Sequence, residues 1–109
     1  MDKDLEKKIR IHQLYDLYGK LLTEKQKTAF EYYYLDDYSL SEIADILHVS
    51  RNAIHEQITT VTTYLEDYEL KLELLGKQEK QAKLIEKYKK NPEKNAILMA
   101  FIQELEMME

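Results

Sequence analysis

Residues Ser39 to Ile58, SLSEIADILHVSRNAIHEQI, constrain the fold more than any other stretch of the chain. They read as two helical patterns separated by a tight turn. Ser39 and Glu42 match a capping box, in which each side chain satisfies a free backbone N–H at the other's position. Ser50 is placed to cap the helix that follows. Ala44 is small enough for two helices to cross closely. Val49 and Ser50 form the turn exit, and Ile54 and Ile58 face back toward the first helix. Ala44, Val49, Ile54 and Ile58 are therefore the expected core of a helix-turn-helix, a module that usually sets its second helix in the major groove of DNA. His48 stands where such turns usually carry Gly, so left-handed backbone is expected there, which His tolerates better than branched residues do.

The rest of the chain reads as helix too. With two Gly and one Pro in 109 residues there is little to punctuate long helices. Leu5, Ile9, Ile11, Leu14 and Tyr18 give a first helix a broad apolar face, stopped by Gly19. Thr23 and Gln26 form another capping box and open a helix with Ala29, Phe30, Tyr33 and Tyr34 on its apolar side. After Ser50 comes the long fourth helix. Ile54, Ile58, Val61, Leu65, Tyr68, Leu72 and Leu75 follow one another at alternating spacings of about four and three residues. A helix from Arg51 to Leu75 would be about 38 Å long, with Gly76 as its stop. A fifth helix is expected over Gln78 to Lys89. Asn91 and Pro92 break it, as cap and first helical position of a sixth. Leu98, Phe101, Ile102 and Leu105 fit that sixth helix.

The expected fold class is all-α: a helix-turn-helix core over residues 1–76, with a long fourth helix, and a C-terminal helical extension over 77–109. The Ile54 to Val61 part of the stripe should pack within the chain. The Leu65 to Leu75 part should project beyond a small core and meet the C-terminal helices or a second copy, so a homodimer is expected.

Composition narrows the function. There is no cysteine, hence no disulfide frame or thiolate metal site. The N-terminus, MDKDLEKKIR, has no apolar run, and no segment approaches the roughly 20 apolar residues of a membrane span. No membrane insertion is expected, and a cytoplasmic location is. His55-Glu56 begins like a zinc-protease motif, but residue 59 is Thr, and His12 and His48 have no spaced metal partners. No metal, cofactor or enzymatic activity is expected.

The stretch Leu14 to Leu75 carries a family likeness. LYGKLLTEKQ, YYLDDYSLSEIA, VSRNAI and LEDYE together resemble the YlxM family of bacterial helix-turn-helix proteins. That family in turn looks like region 4 of sigma factors. The resemblance implies a DNA-binding regulatory protein of the signal recognition particle pathway, with the particle's protein or its receptor as partners. Relatives often carry Lys or Arg in the middle of the second helix of the motif. This chain has Thr59-Thr60-Val61-Thr62-Thr63 there.

The candidate nucleic-acid contacts are Arg51, Asn52, His55 and Thr59. Arg51 suits a phosphate or a guanine edge, and Asn52 suits adenine. Glu56 beside them accepts only from cytosine and repels phosphate. From Ser39 to Leu75 two basic residues, Arg51 and Lys71, face seven acidic ones. Phosphate neutralisation supplies most of an ordinary DNA binder's affinity, so weak DNA binding is expected. The competing reading is a protein-interaction adaptor that binds particle components without specific DNA binding. Lys80, Lys83, Lys87 and Lys90 repeat at helical spacing and form a candidate partner patch. Their plainer reading is a solvated face with Glu79–Lys83 and Glu86–Lys90 pairs. Nine tyrosines, three of them consecutive at Tyr32 to Tyr34, suit a partner surface or a core edge.

Overall fold

The computed structural model describes residues 3–90 and 96–108. Asn91 and Pro92, read from the sequence as a helix break, lie outside them. The described elements are helices α1 (Lys3–Tyr18), α2 (Glu24–Tyr34), α3 (Leu40–Leu47), α4 (Arg51–Leu72), α5 (Leu74–Lys89) and α6 (Ala96–Met107), with a 3-10 turn at Gly19–Leu21. No strand occurs among the described residues, and the fold is all-α. The chain divides into two compact units, Met1–Leu75 and Gly76–Glu109.

In the first unit α1, α2 and α3 all pack on α4. The stripe of α4 serves two clusters. Ile54 and Ile58 join Ala29 of α2 and Ile43 and Ala44 of α3. Val61 and Leu65 join Ile11, Leu14 and Tyr18 of α1, together with Leu22, Phe30 and Leu75. Each Leu, Ile or Phe buried this way contributes about 1.5–3 kcal/mol.

Local sequence fixes where the helices start. Thr23 Oγ1 accepts from the Gln26 amide at 3.2 Å, and Gln26 Oε1 accepts from the Thr23 amide at 2.8 Å. Gly19 does not end α1 through unusual backbone, since no glycine has positive φ among the described residues. It makes room: a Cβ at Gly19 would lie 3.2 Å from the Tyr15 ring. That ring stacks on Phe30 at 4.7 Å, and its hydroxyl donates to Glu31 at 2.8 Å. The consecutive tyrosines divide their contacts. Tyr32 stacks on Tyr38 at 5.2 Å, Tyr34 packs on Phe30 at 4.7 Å, and Tyr33 meets Tyr34 edge-on at 5.0 Å.

The structure differs from the sequence reading at two places in this unit. The Leu65 to Leu75 stretch does not project from the core. Leu65 and Leu75 are buried with α1, whose Arg10 reaches Glu66 through two bonds of 2.9 Å, while Leu72 stays half exposed. The second difference is the end of α4. The helix stops at Leu72, Glu73 turns left-handed with φ 56°, and Gly76 lies inside α5 instead of ending α4. Tertiary hydrogen bonds hold this break. The buried Tyr18 hydroxyl accepts from the Leu74 amide at 3.0 Å, and Glu69 Oε1 accepts from the Leu75 amide at 3.0 Å. Both amides would otherwise need helical acceptors, and breaking the helix turns Leu75 into the α1 cluster.

In the second unit Ile85 and Ile102 are buried, and Lys89 Nζ of α5 bonds Glu106 Oε2 of α6 at 2.9 Å.

Candidate nucleic-acid interface

The α3–turn–α4 unit is assembled by short-range chemistry. Ser39 Oγ accepts from the Glu42 amide at 3.1 Å, and Glu42 Oε1 accepts from the Ser39 amide at 3.1 Å. At the other end of α3, His48 adopts the left-handed conformation with φ 57° and ψ 44°. Its neighbour Val49 donates its amide to the Ala44 carbonyl at 3.1 Å, which closes the turn. Ser50 Oγ accepts from the Ala53 amide at 3.0 Å and starts α4.

Ala44, Ile54 and Ile58 meet in one cluster, with Ile54 fully buried. Val49, expected with them, does not. It is 42% exposed and lines a shallow groove with Leu47, Thr28 and Gln57. The reason is geometric: the left-handed step at His48 reverses the chain, and the residue after it points away from the crossing of α3 and α4.

Burying Ile54 and Ile58 determines what faces outward. Asn52, Glu56 and Thr59 recur at helical spacing on the opposite side of α4, with His55 beside them and Arg51 in the first turn. All five are exposed. The Thr59 carbonyl accepts from the Thr62 and Thr63 hydroxyls at 2.8 and 2.9 Å, but among the described residues no hydrogen bond or ion pair within the chain engages the side chains of Arg51, Asn52, His55 or Thr59.

The electrostatics are less hostile to DNA than the sequence count implies. Glu66 is paired with Arg10, and Asp67 with Lys71 at 3.0 Å. Both lie in the C-terminal half of α4. The Glu42 carboxylate is engaged in capping α3. With those two pairs set aside, Glu42, Asp45 and Glu56 are the acids on α3 and the first turns of α4, against Arg51.

Sequence reading missed one cation, Lys25 of α2. It lines a groove of about 320 Å³ between α2 and α4, with Gln26 on its own side and Ala53, Glu56, Gln57 and Thr60 opposite. Residues 25 and 56 are far apart in the chain, so only the packing of α2 on α4 brings them to one groove. No periodicity in the sequence signals it.

The lysine row sits on the other unit. Lys80, Lys83 and Lys87 are exposed along α5, and Lys90 follows its end. No ion pair joins Glu79 to Lys83 or Glu86 to Lys90 among the described residues. Lys87 Nζ lies 5.8 Å from the Tyr88 ring centre instead. No group of His, Cys, Asp or Glu among the described residues is arranged to hold a metal ion, and no helix there is long and apolar enough to cross a membrane.

Comparison with known proteins agrees with this architecture. Residues 5–105 match the model of the family UPF0122, described as "putative helix-turn-helix protein, YlxM / p13 like". A UPF0122 protein of Halalkalibacterium halodurans is 43% identical over 108 residues, covering 96% of this chain and 99% of the relative. One from Staphylococcus carnosus is 44% identical over 106 residues, covering 97% and 96%. One from Oceanobacillus iheyensis is 48% identical over 85 residues, covering 78% and 81%. The chain belongs to the UPF0122 family.

Proposed function

We propose that this UPF0122 chain is a non-enzymatic regulatory protein that binds DNA through the first turns of α4. One observation carries the reading. Asn52, His55 and Thr59 share an outward face whose reverse side, Ile54 and Ile58, is locked into α2 and α3. A helix held this rigidly presents its side chains in a fixed register to base edges.

Each residue has a chemical part. The Asn52 amide both donates and accepts, which matches adenine, and a good bidentate pair of this kind discriminates by about 1–3 kcal/mol. Arg51, in the first turn, supplies a planar cation for phosphate or guanine. The Thr59 hydroxyl bonds either base type, and its methyl packs on thymine. Lys25 approaches from α2 and adds a phosphate contact. Only a few cations take part, so affinity is modest and the slope of log K against log salt is about −2 to −3.

The signal recognition particle pathway is the setting that the family resemblance implies, in the cytoplasm. A second reading follows from a specific observation. Glu56 stands exposed in the centre of the α4 face, where it favours a basic protein segment over a phosphate backbone. On that reading the chain is an adaptor for the particle's protein or its receptor.

Fluorescence anisotropy with duplex DNA at two salt concentrations separates the two. DNA binding that weakens with salt supports the regulator. Binding to particle protein or receptor, with none to DNA at low salt, selects the adaptor.

A further inference from the structure

The second unit leaves much of its apolar surface uncovered. On α5, Leu84 is 55% and Tyr88 41% exposed. On α6, Ile97 is 80% and Phe101 55% exposed, and Met108 just beyond it is 83% exposed. These are not scattered positions. Leu84 and Tyr88 are four residues apart on one face of α5, and Ile97 and Phe101 are four apart on one face of α6, with Met108 in the turn after it. Exposed apolar stripes of this kind mark interaction surfaces.

The charges around the two stripes have opposite signs. Within α5, five lysines face two glutamates, and Lys80 and Lys87 flank Leu84. Within α6 there is no basic residue, and Glu104 lies between Phe101 and Met108. The exposed surface of one unit therefore contains both a cationic apolar stripe and an anionic apolar stripe. A surface that is complementary to itself is what a two-fold symmetric contact requires.

We propose that this unit pairs with the same unit of a second copy of the chain, α5 of one protomer against α6 of the other. The two-fold repeats the contact, so Lys80 and Lys87 meet the partner's Glu104 twice. Leu84, Tyr88, Ile97 and Phe101 are then covered on both sides as in a four-helix bundle. A lipid surface fits less well, because Glu104 beside the α6 stripe repels anionic headgroups. This pairing is independent of whether α4 binds DNA.

The test is sedimentation equilibrium of the full chain, up to about 100 µM, where even modest association is populated. The wild-type chain is expected to show twice its monomer mass. Phe101→Glu should weaken self-association at least tenfold, and so should Lys80→Glu/Lys87→Glu and Glu104→Lys, each with an unchanged helical circular dichroism spectrum. Mixing the last two variants should restore dimers, because the reversed charges are again complementary. A wild-type monomer throughout the range overturns the proposal. So does a mixture that stays monomeric, or a dimer that Phe101→Glu leaves as tight as before.

Discussion

The Tyr18 hydroxyl donates to Glu69 Oε1 at 2.6 Å, across 51 residues of chain, and this bond holds the end of α4. The same hydroxyl accepts from the Leu74 amide, and the same carboxylate oxygen accepts from the Leu75 amide. Glu73 sits between these anchors in left-handed backbone, which costs a non-glycine residue about 1–2 kcal/mol. Two side chains and two amides thus fix a break that local sequence disfavours.

Tyr18→Phe should destabilise the chain by about 1–3 kcal/mol, because it removes the acceptor of the part-buried Leu74 amide and the short bond to the Glu69 carboxylate. Urea denaturation followed by circular dichroism reads this directly. The Leu74 amide should also lose protection from hydrogen exchange. An unchanged midpoint would mean that the hydroxyl is dispensable for the break.

Alkali should act through the same residue. Burial, then the bond to Glu69, pushes the Tyr18 hydroxyl up from the usual tyrosine range. Tyr15 is raised as well, by burial and by its bond to Glu31. A raised folded pKa means that the unfolded chain loses these protons first. Stability is therefore intact below about pH 10 and falls as pH rises above it. Denaturation midpoints from pH 8 to 11 should be flat and then decline, and the decline should be shallower in Tyr18→Phe.

Much of this fold is written in local sequence. The Thr23–Gln26 and Ser39–Glu42 capping boxes, the Ser50 cap and the left-handed His48 follow from residues within one turn of each other. The features that were not legible all depend on distant partners. The stripe of α4 reads as continuous to Leu75 because its spacing is helical. It breaks at Glu73 because Tyr18, on another helix, satisfies the freed amide. Val49 is apolar and adjacent to the core, yet the turn aims it outward. Lys25 joins the α4 groove only through the packing of α2 on α4. The outward face of α4 was legible, since it is the complement of Ile54 and Ile58.

His48→Gly should stabilise the chain by about 0.5–1 kcal/mol. Glycine accepts the left-handed conformation without the Cβ penalty, which outweighs its extra freedom in the unfolded chain. Thermal or urea denaturation checks the sign. Destabilisation would mean that the His48 ring contributes packing beyond its backbone.

Gly19→Ala should have the opposite effect. The added Cβ would press on the Tyr15 ring at 3.2 Å, and that ring is held between Phe30 and Glu31. Overpacking of this kind costs about 1–3 kcal/mol. The near-ultraviolet circular dichroism of the tyrosines should change with it. A variant as stable as wild type would show that the ring yields freely.

The outward face of α4 is the centre of the functional account, and a titration of duplex DNA at low and moderate salt tests it most directly. Asn52→Ala should weaken binding to preferred sequences by about 1–3 kcal/mol and flatten the preference among them. Lys25→Ala should weaken all sequences alike and reduce the salt slope by about 1. No DNA binding at low salt, or binding that neither substitution alters, would contradict the assignment of this face to DNA.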